Sequence, residues 1–307
     1  MRGLSVLASI GGAVLLQVAT VHAQDTLPDP TLPETRVDDI VVDGRPIEVI
    51  AEEFVTTISA PPRRRGLARW SGTVCIGVVN FRNDIAHLII DRISEVAESL
   101  DIRLGDPGCK PNLIIAGTDD ADGLARTMVE RYRSQFFRFG YTRSNRGSGA
   151  LAVFQDTDAP IRWWHISLPI NTVDGTPAIR LPGRDYWVSP CRQRSPFGGR
   201  NYRFCEAITD HLSRLIIIVD VDQVAGRTAA QLADYLTLVS LAQIEPDSDY
   251  SAFDTVLNLF DPDMQVTGLT DWDLIYLAAL YSGEDERLDP REQAARMVPA
   301  LRARQGD

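Results

Sequence analysis

Two kinds of apolar pattern alternate in the first half of the chain, and they predict strands and helices in turn. Val74 to Phe81 and Asn112 to Gly117 are runs of β-branched and apolar residues that are typical of buried strands. After each run, apolar residues recur at helical spacing, which predicts helices from Asn83 or Asp84 to Leu100 and from Asp120 to Phe136. A strand, a helix and a second strand in this order predict a right-handed crossover with parallel strands.

The second half of the chain continues the same mixture of elements. Further strands are predicted at Ala150–Gln155, Ile161–Leu168 and Arg214–Asp220, and helices at Thr228–Ile244, Thr270–Tyr281 and Pro290–Arg302. The helix that begins at Thr228 is apolar over most of its circumference, so it is predicted to be buried. We therefore expect an α/β (α+β) fold: a mixed sheet begun by the right-handed crossover unit, a buried helix and C-terminal helices.

The N-terminal residues have the layout of a cleaved export signal. Arg2 precedes an apolar run from Leu4 to Thr20, and Val21-His22-Ala23 places compact residues at the expected cleavage point. A membrane anchor is the alternative, but the run is shorter than the roughly 20 residues of a spanning helix, and acidic, proline-rich sequence follows it. We expect a signal peptide at 1–23, a flexible acidic leader at 24–46 and a single α/β domain at 47–307.

The charge and hydropathy of the rest of the chain indicate which cell compartment and which classes of partner to expect. The longest later apolar run, Leu215 to Val219, has the length of a strand, so no transmembrane segment is expected after cleavage and the protein is predicted to be periplasmic or secreted. Lys and Arg number 31 against 42 Asp and Glu, a net charge of −11. That negative field disfavours non-specific attraction to nucleic acid, and no nucleic-acid partner is predicted.

The four cysteines are predicted to form disulfides. An even number of cysteines in an oxidising compartment indicates disulfides, with three possible pairings. Sequential pairing is our prediction, Cys75 with Cys109 and Cys191 with Cys205, because parallel strands would bring the first two to one edge of the sheet. A zinc site would require close CxxC-like spacing, which the chain does not contain.

The sequence motifs of common hydrolases and nucleotide-binding proteins do not occur. Histidine stands at 22, 87, 165 and 211, so no pair has the spacing of HExxH, and His211 is predicted to lie on or cap a helix. Neither the GxSxG nucleophile elbow nor an SxxK motif is present, and the single lysine, Lys110, is not part of a phosphate-binding GxxxxGK[ST] loop. No metal site and no cofactor are predicted.

Acidic residues after a predicted strand are the weak candidates for catalysis. Asp220 and Asp222 follow a buried strand at the edge where α/β sheets present ligand-binding groups. At i,i+2 spacing in an extended chain they would share a face, and repulsion could raise the pKa of one of them. The alternative is that they cap a loop. Asp119 and Asp120 lie in the stretch TDDADG, and one of them is predicted to cap the following helix. A calcium-binding loop is disfavoured, because such a loop requires Glu at its twelfth position.

Two other groups are candidates for binding. Trp163 and His165 are predicted to lie on one face of a strand, with Trp164 on the other face. The face with Trp163 and His165 is either an aromatic platform for a ligand or a surface packed in the core. Arginine is concentrated between Cys191 and Cys205, at Arg192, Arg194, Arg200 and Arg203. This basic loop is either a solvated surface or a contact for an anionic envelope component or an acidic protein.

The C-terminal third carries a resemblance to known families. The segments Asp220–Gly226, Gln231–Tyr235 and Leu269–Asp273, followed by Leu280-Tyr281, look like a family of uncharacterised exported bacterial proteins. Their order is remotely similar to that of metzincin-like metalloproteases, which carry HExxH on the first helix of this part. Here Asp234-Tyr235 and Leu238 stand at the corresponding positions. The resemblance therefore implies a buried zincin-like helix on a scaffold without the metal.

These patterns together favour a binding function over catalysis. We expect a non-catalytic periplasmic or secreted protein, binding or envelope-associated, on a degenerate zincin-like scaffold. The alternative is a peptidase-like hydrolase with an unrecognised active site near Asp220, Asp222 and Asp234.

Overall fold

The computed structural model describes residues 44–62, 65–136, 146–172, 175–180, 187–194, 200–205, 208–283 and 288–305, with only the backbone described at 135–136, 179–180, 187–194 and 200–205. The predicted signal peptide and nearly all of the predicted leader lie outside these ranges. No helix among the described residues has both the length and the apolar character needed to cross a membrane.

The helices and strands follow one another in a mixed α+β order. The helices are α1 (Ile47–Ile58), α2 (Asn83–Ser99), α3 (Ala121–Arg131), α4 (Arg133–Phe136), α5 (Ser148–Asp156), α6 (Ala229–Leu241), α7 (Asp271–Tyr281) and α8 (Pro290–Gln305), with a 3-10 turn at Val256–Phe260. The strands are β1 (Ile76–Val79), β2 (Leu113–Thr118), β3 (Ile161–Asn171), β4 (Ile179–Arg180), β5 (Trp187–Arg194), β6 (Arg200–Cys205) and β7 (Ile208–Asp220).

A four-stranded mixed sheet forms the centre of the fold, in the order β1-β2-β7-β3. β1 and β2 are parallel, with Ile76 opposite Leu113, which confirms the parallel pairing predicted for the strand–helix–strand unit. β2 is also parallel to β7, whereas β3 is antiparallel to it. The two central strands are apolar and buried along most of their length, because helices cover both faces of the sheet. β4, β5 and β6 form a separate antiparallel sheet.

Alternation along the strands divides the core into two layers. Ile217 and Trp163 face the larger layer, which contains the buried side chains of α1, α2, α6, α7 and α8. Ile216, Ile218 and Trp164 face a smaller layer formed with α3 and α5. Successive side chains of a strand point to opposite faces, so the prediction that Trp163 and Trp164 face opposite ways is confirmed.

Three local predictions for the segments in and around the main sheet were wrong. Ala150–Gln155 belongs to helix α5, whose Leu151 and Phe154 face the sheet at i,i+3 spacing, a pattern that a short apolar run does not distinguish from a strand. The helix predicted to reach Phe136 stops at Arg131 and is followed by the short α4. His211 lies in strand β7, which begins six residues before the predicted Arg214, rather than on a helix.

A disulfide joins the start of the sheet to the loop before β2. Cys75 and Cys109 are bonded, with their Cα atoms 6.0 Å apart, so the first predicted pairing is confirmed. Cys191 and Cys205 lie on the neighbouring strands β5 and β6, and their side chains lie outside the described residues.

Candidate functional site

On helix α6, the acidic residue at the first position of the expected metal motif, Asp234, forms a structural link between segments. Nε of Arg92, on α2, donates a 2.5 Å hydrogen bond to Oδ1 of Asp234, on α6. The N–H of Leu269 donates to the other carboxylate oxygen at 3.1 Å. A Cβ added to Gly268 would collide with this carboxylate, so the chain passes close to Asp234 only because residue 268 is glycine. Asp234 therefore ties α2, α6 and the segment before α7 together.

The two other positions of the expected metal motif are packed in the core. Leu238 has no exposed surface, and Tyr235 is 5% exposed. The Tyr235 ring meets the rings of Trp163 and Phe260 at centroid distances of 6.2 and 5.3 Å. Burial also raises the pKa of Tyr235, which disfavours a phenolate ligand. The donor set on this face of α6 does not suit zinc.

Asp220 caps a turn at the carboxyl edge of the sheet. Its Oδ1 accepts hydrogen bonds from the N–H groups of Asp222 and Gln223, at 3.1 and 3.2 Å, and Asp222 is exposed. Asp120 similarly accepts from the N–H of Gly123 at 2.8 Å, as the predicted cap of α3. Across the described residues, no three His, Cys, Asp or Glu side chains are arranged to hold a metal ion. The structure thus does not bring Asp220, Asp222 and Asp234 together as a metal-binding set.

Trp163 and His165 connect β3 to α6 and the residues after it. Trp163 Nε1 donates to the carbonyl of Ile244 at 2.9 Å, and His165 Nε2 lies 2.9 Å from the carbonyl of Val239. Burial lowers the pKa of His165 to about 4, so its ring is neutral and Nε2 carries the proton. Both side chains, with the buried Gln243, line a narrow cavity of about 30 Å³, which has room for about one water molecule.

The basic segment predicted as a loop forms two antiparallel strands. Arg194 lies opposite Arg200, and Arg192 lies opposite Tyr202. Arg203 lies opposite Cys191. The side chains of these arginines are outside the described residues, so their use as a docking surface for an anionic partner stays a prediction.

The sequence alone does not reveal a serine–histidine pair in this structure, because its two members are 140 positions apart. Oγ of Ser71 lies 2.6 Å from Nδ1 of His211, and Oγ1 of Thr209 lies 2.8 Å from Nε2 of the same ring. Ser71 is exposed and His211 is half-buried. The pair resembles a nucleophile and its base, but the second ring nitrogen meets a hydroxyl where a catalytic triad has a carboxylate.

A cavity of about 470 Å³ lies at the free edge of β1. It lies between β1, α2 and the loop 104–109, and we name it the β1 cleft. Its floor is apolar and is formed by Val74, Ile76, Ile90 and Leu104. This volume is in the range that small-molecule ligand sites occupy in proteins.

The loop that forms one wall of the β1 cleft is held by the disulfide. Gly105 lies against Cys109, so close that an added Cβ would be 2.7 Å from the Cys109 sulfur. Gly108 has a φ of 86°, a conformation that favours glycine. The sequence Gly105-Asp106-Pro107-Gly108-Cys109 was the signal available for this wall, since glycine and proline together indicate a tight turn.

Four polar side chains surround the apolar floor. His87, Asp91 and Ser94 come from α2, and Asp106 comes from the loop. His87, Asp91 and Asp106 are exposed, and within the described structure none of the four side chains makes a hydrogen bond or an ion pair. The cleft lining contains two carboxylates and neither lysine nor arginine, so it favours positively charged ligand groups.

Comparisons with protein-family models, with curated proteins and with solved structures find no match. The geometry of the chain itself is therefore the basis for any functional conclusion.

Proposed function

We propose that this chain is a non-catalytic, exported binding protein, built on a zincin-like scaffold without the metal, and that it takes its ligand in the β1 cleft. The observation that carries the proposal is the cleft itself. It combines about 470 Å³ of space, an apolar floor and polar side chains that no other described group engages. Ligand sites in proteins characteristically combine a concave apolar surface with a few polar groups that orient the ligand.

The proposal includes no zinc site, because the residues of α6 do not provide suitable zinc ligands. Asp234 is engaged by Arg92 and by the N–H of Leu269, and Leu238 has no imidazole to offer. A zinc protease needs two histidines of this helix as ligands and a glutamate as general base. A carboxylate that is held by an arginine would have to give up that ion pair before it could coordinate a cation.

The charges around the cleft define the class of ligand. Asp91 and Asp106 stand beside the apolar floor of Ile76 and Ile90. A ligand that fits both features has an apolar body and a cationic group. Export into the periplasm or the medium, as the N-terminal residues predict, would place this site where extracellular peptides and amines are present.

A pair of probes with the same ring and opposite charge tests this proposal. The purified protein, labelled with ¹⁵N, is titrated with benzylamine and, separately, with phenylacetate. Benzylamine is expected to shift the amide resonances of Ile76, Ile90 and Leu104 and to saturate, whereas phenylacetate produces no saturable change there. Saturable binding of phenylacetate at these residues, or binding of neither probe, would overturn the proposed ligand class.

Variants of the cleft give the matched control. Changing Asp91 and Asp106 together to asparagine is expected to weaken benzylamine binding severalfold, because the attraction to the cation is lost. Glu98→Gln removes an exposed carboxylate of the same helix α2 outside the cleft lining and is expected to leave binding unchanged.

A further inference from the structure

We propose that the natural ligand of the β1 cleft is an extended peptide that adds as a strand to the free edge of β1, with an apolar residue and a basic residue two positions apart. This inference rests on the proposed binding function and names its partner class. β1 is an edge strand of the main sheet, and in the described structure β2 alone pairs with Ile76 to Val79.

Hydrogen bonds just before β1 show which backbone groups point outward. The N–H of Val74 donates to the carbonyl of Arg103, and the N–H of Gly105 donates to the carbonyl of Val74, each at 2.8 Å. The carbonyl of Cys75 instead accepts from the N–H of Leu113, at 3.1 Å, on the β2 side. Since successive residues of a strand turn their backbone groups to opposite edges, Ile76 and Val78 present their N–H and C=O groups outward, like Val74.

The chain itself begins the pairing that the peptide would continue. Leu104 forms a parallel bridge with Val74, and the loop then turns away at Gly105. The space that opens beside Ile76, where the bridge is not continued, is the β1 cleft. An exposed strand edge with unpaired backbone groups is a template for another strand, and many peptide-binding proteins use it in this way.

The side chains of the cleft specify what the peptide should carry. A residue paired with β1 points to the same face as its partner, and Ile76 packs toward the layer that contains α2. A peptide residue on this face therefore meets Ile90 and Leu104, which favours an apolar side chain. The next residue on the same face is two positions away, and a basic side chain there is within the reach of the cleft carboxylates of Asp91 and Asp106.

Hydrogen exchange measured by NMR is the direct test. The probe is an acetylated and amidated pentapeptide in which one leucine and one arginine alternate with threonines. Its binding is expected to slow exchange of the N–H groups of Ile76 and Val78, which gain a partner. Exchange at Gly77, whose N–H faces β2, is expected to change much less. Binding without protection of Ile76 and Val78 would overturn strand addition.

Modified peptides separate backbone recognition from side-chain recognition. N-methylation of one alternate set of peptide residues is expected to abolish binding, and N-methylation of the other set to be tolerated, because only one set faces β1. Replacing the arginine by glutamate is expected to weaken binding at least tenfold. Equal tolerance of both N-methylated sets, or no preference for arginine, would contradict the proposal.

Charge-reversal variants complete the experiment. Asp91→Lys and Asp106→Lys are both exposed substitutions and are expected to weaken peptide binding, whereas Glu98→Lys on the same helix serves as the matched control.

If benzylamine binds in the cleft but the peptide does not, strand addition is wrong and the proposed ligand site stands. If neither binds, both proposals are wrong. Concentration-dependent protection of Ile76 and Val78 without peptide would show that β1 pairs with a second copy, and would also overturn the inference.

Discussion

Arg92 and Asp234 form an ion pair with 2.5 Å between Nε and Oδ1, and it joins α2 to α6. The Asp234 side chain is 15% exposed, and that of Arg92 is 33% exposed. In this chain, the position has a role in packing two core helices. The same helix α2 supplies the wall of the β1 cleft, so the pair also supports the proposed ligand site.

Asp234→Ala is expected to lower the free energy of unfolding by roughly 2 kcal/mol, because it leaves a partly buried guanidinium and the N–H of Leu269 without their acceptor. Asp91→Ala, on the exposed side of α2, is expected to change it by less than about 0.5 kcal/mol. Urea unfolding followed by circular dichroism measures both. A stability unaffected by Asp234→Ala would show that the carboxylate is free for another role.

Asp273 gives the protein a pH-dependent stability. The carboxyl group is fully buried, and this burial raises its pKa from 3.8 to about 6, although hydrogen bonds from Thr255, Thr270 and Val256 favour the charged form. The folded protein therefore binds this proton more tightly than the unfolded chain does. The stability contributed by the protonated group is fully present below about pH 4 and is lost as the pH rises to about 6.

Asp273→Asn isolates this effect, since the amide does not titrate. Relative to the variant, the wild type is expected to lose up to about 1.4 kcal/mol of unfolding free energy per pH unit over that interval. Urea unfolding at several pH values between 4 and 7 measures the difference between the two proteins. A difference that stays constant or grows with pH contradicts the raised pKa.

The Cys75–Cys109 disulfide is expected to stabilise both the fold and the β1 cleft. With a sequence separation of 34, the chain-entropy estimate gives about 4 kcal/mol for the closed loop. Replacing both cysteines by serine is expected to lower stability by this order and to weaken benzylamine binding, since loop 104–109 loses its anchor. Thermal unfolding and the amine titration measure the two effects.

A variant without Cys191 and Cys205 provides the control for the disulfide. In that variant, a reductant acts on Cys75 and Cys109 alone, so any change on reduction belongs to this bridge. Unchanged benzylamine affinity after reduction would mean that the loop keeps its position without the bond.

Ser71 is expected to remain unmodified by a fluorophosphonate probe. Its Oγ lies 2.6 Å from Nδ1 of His211, but the hydroxyl of Thr209 lies 2.8 Å from Nε2, whereas in a catalytic triad the ring nitrogen that does not face the serine meets a carboxylate. Mass spectrometry of the probe-treated protein measures labelling. Stoichiometric modification of Ser71 that disappears in His211→Ala would identify a nucleophile and refute a non-catalytic protein.

Local patterns were sufficient where one chain segment decides its own structure. The β-branched run through Ile76 and the helical spacing that follows it from Asn83 predicted the strand and the helix correctly, and the parallel pairing of β1 with β2 was also predicted correctly. Ala150 to Gln155 was assigned to the wrong type, because six apolar and polar residues fit either period and packing against β3 and α3 made the choice.

The candidate sites depended on distant parts of the chain. The hydrogen bond of His165 to the carbonyl of Val239 cannot be read from the residues around His165, because Val239 is 74 positions away. Arg65 stands in a basic triplet typical of surface loops, yet it is buried in an ion pair with Asp210 of β7, 145 positions away. A cluster of basic residues in the sequence does not reveal whether a carboxylate from a distant segment forms an ion pair with one of them.

By itself, the sequence determined the strand–helix–strand order, the pairing of Cys75 with Cys109, and the placement of Asp234, Tyr235 and Leu238, rather than a HExxH motif, on the buried helix. These features depend on residue type and short-range spacing, which the chain carries locally. Only the tertiary structure decided that Asp234 is held by Arg92 and that an open edge of β1 faces an acidic cleft. Such relationships arise where segments far apart in the chain pack together, and their distances are set by the whole core rather than by any one segment.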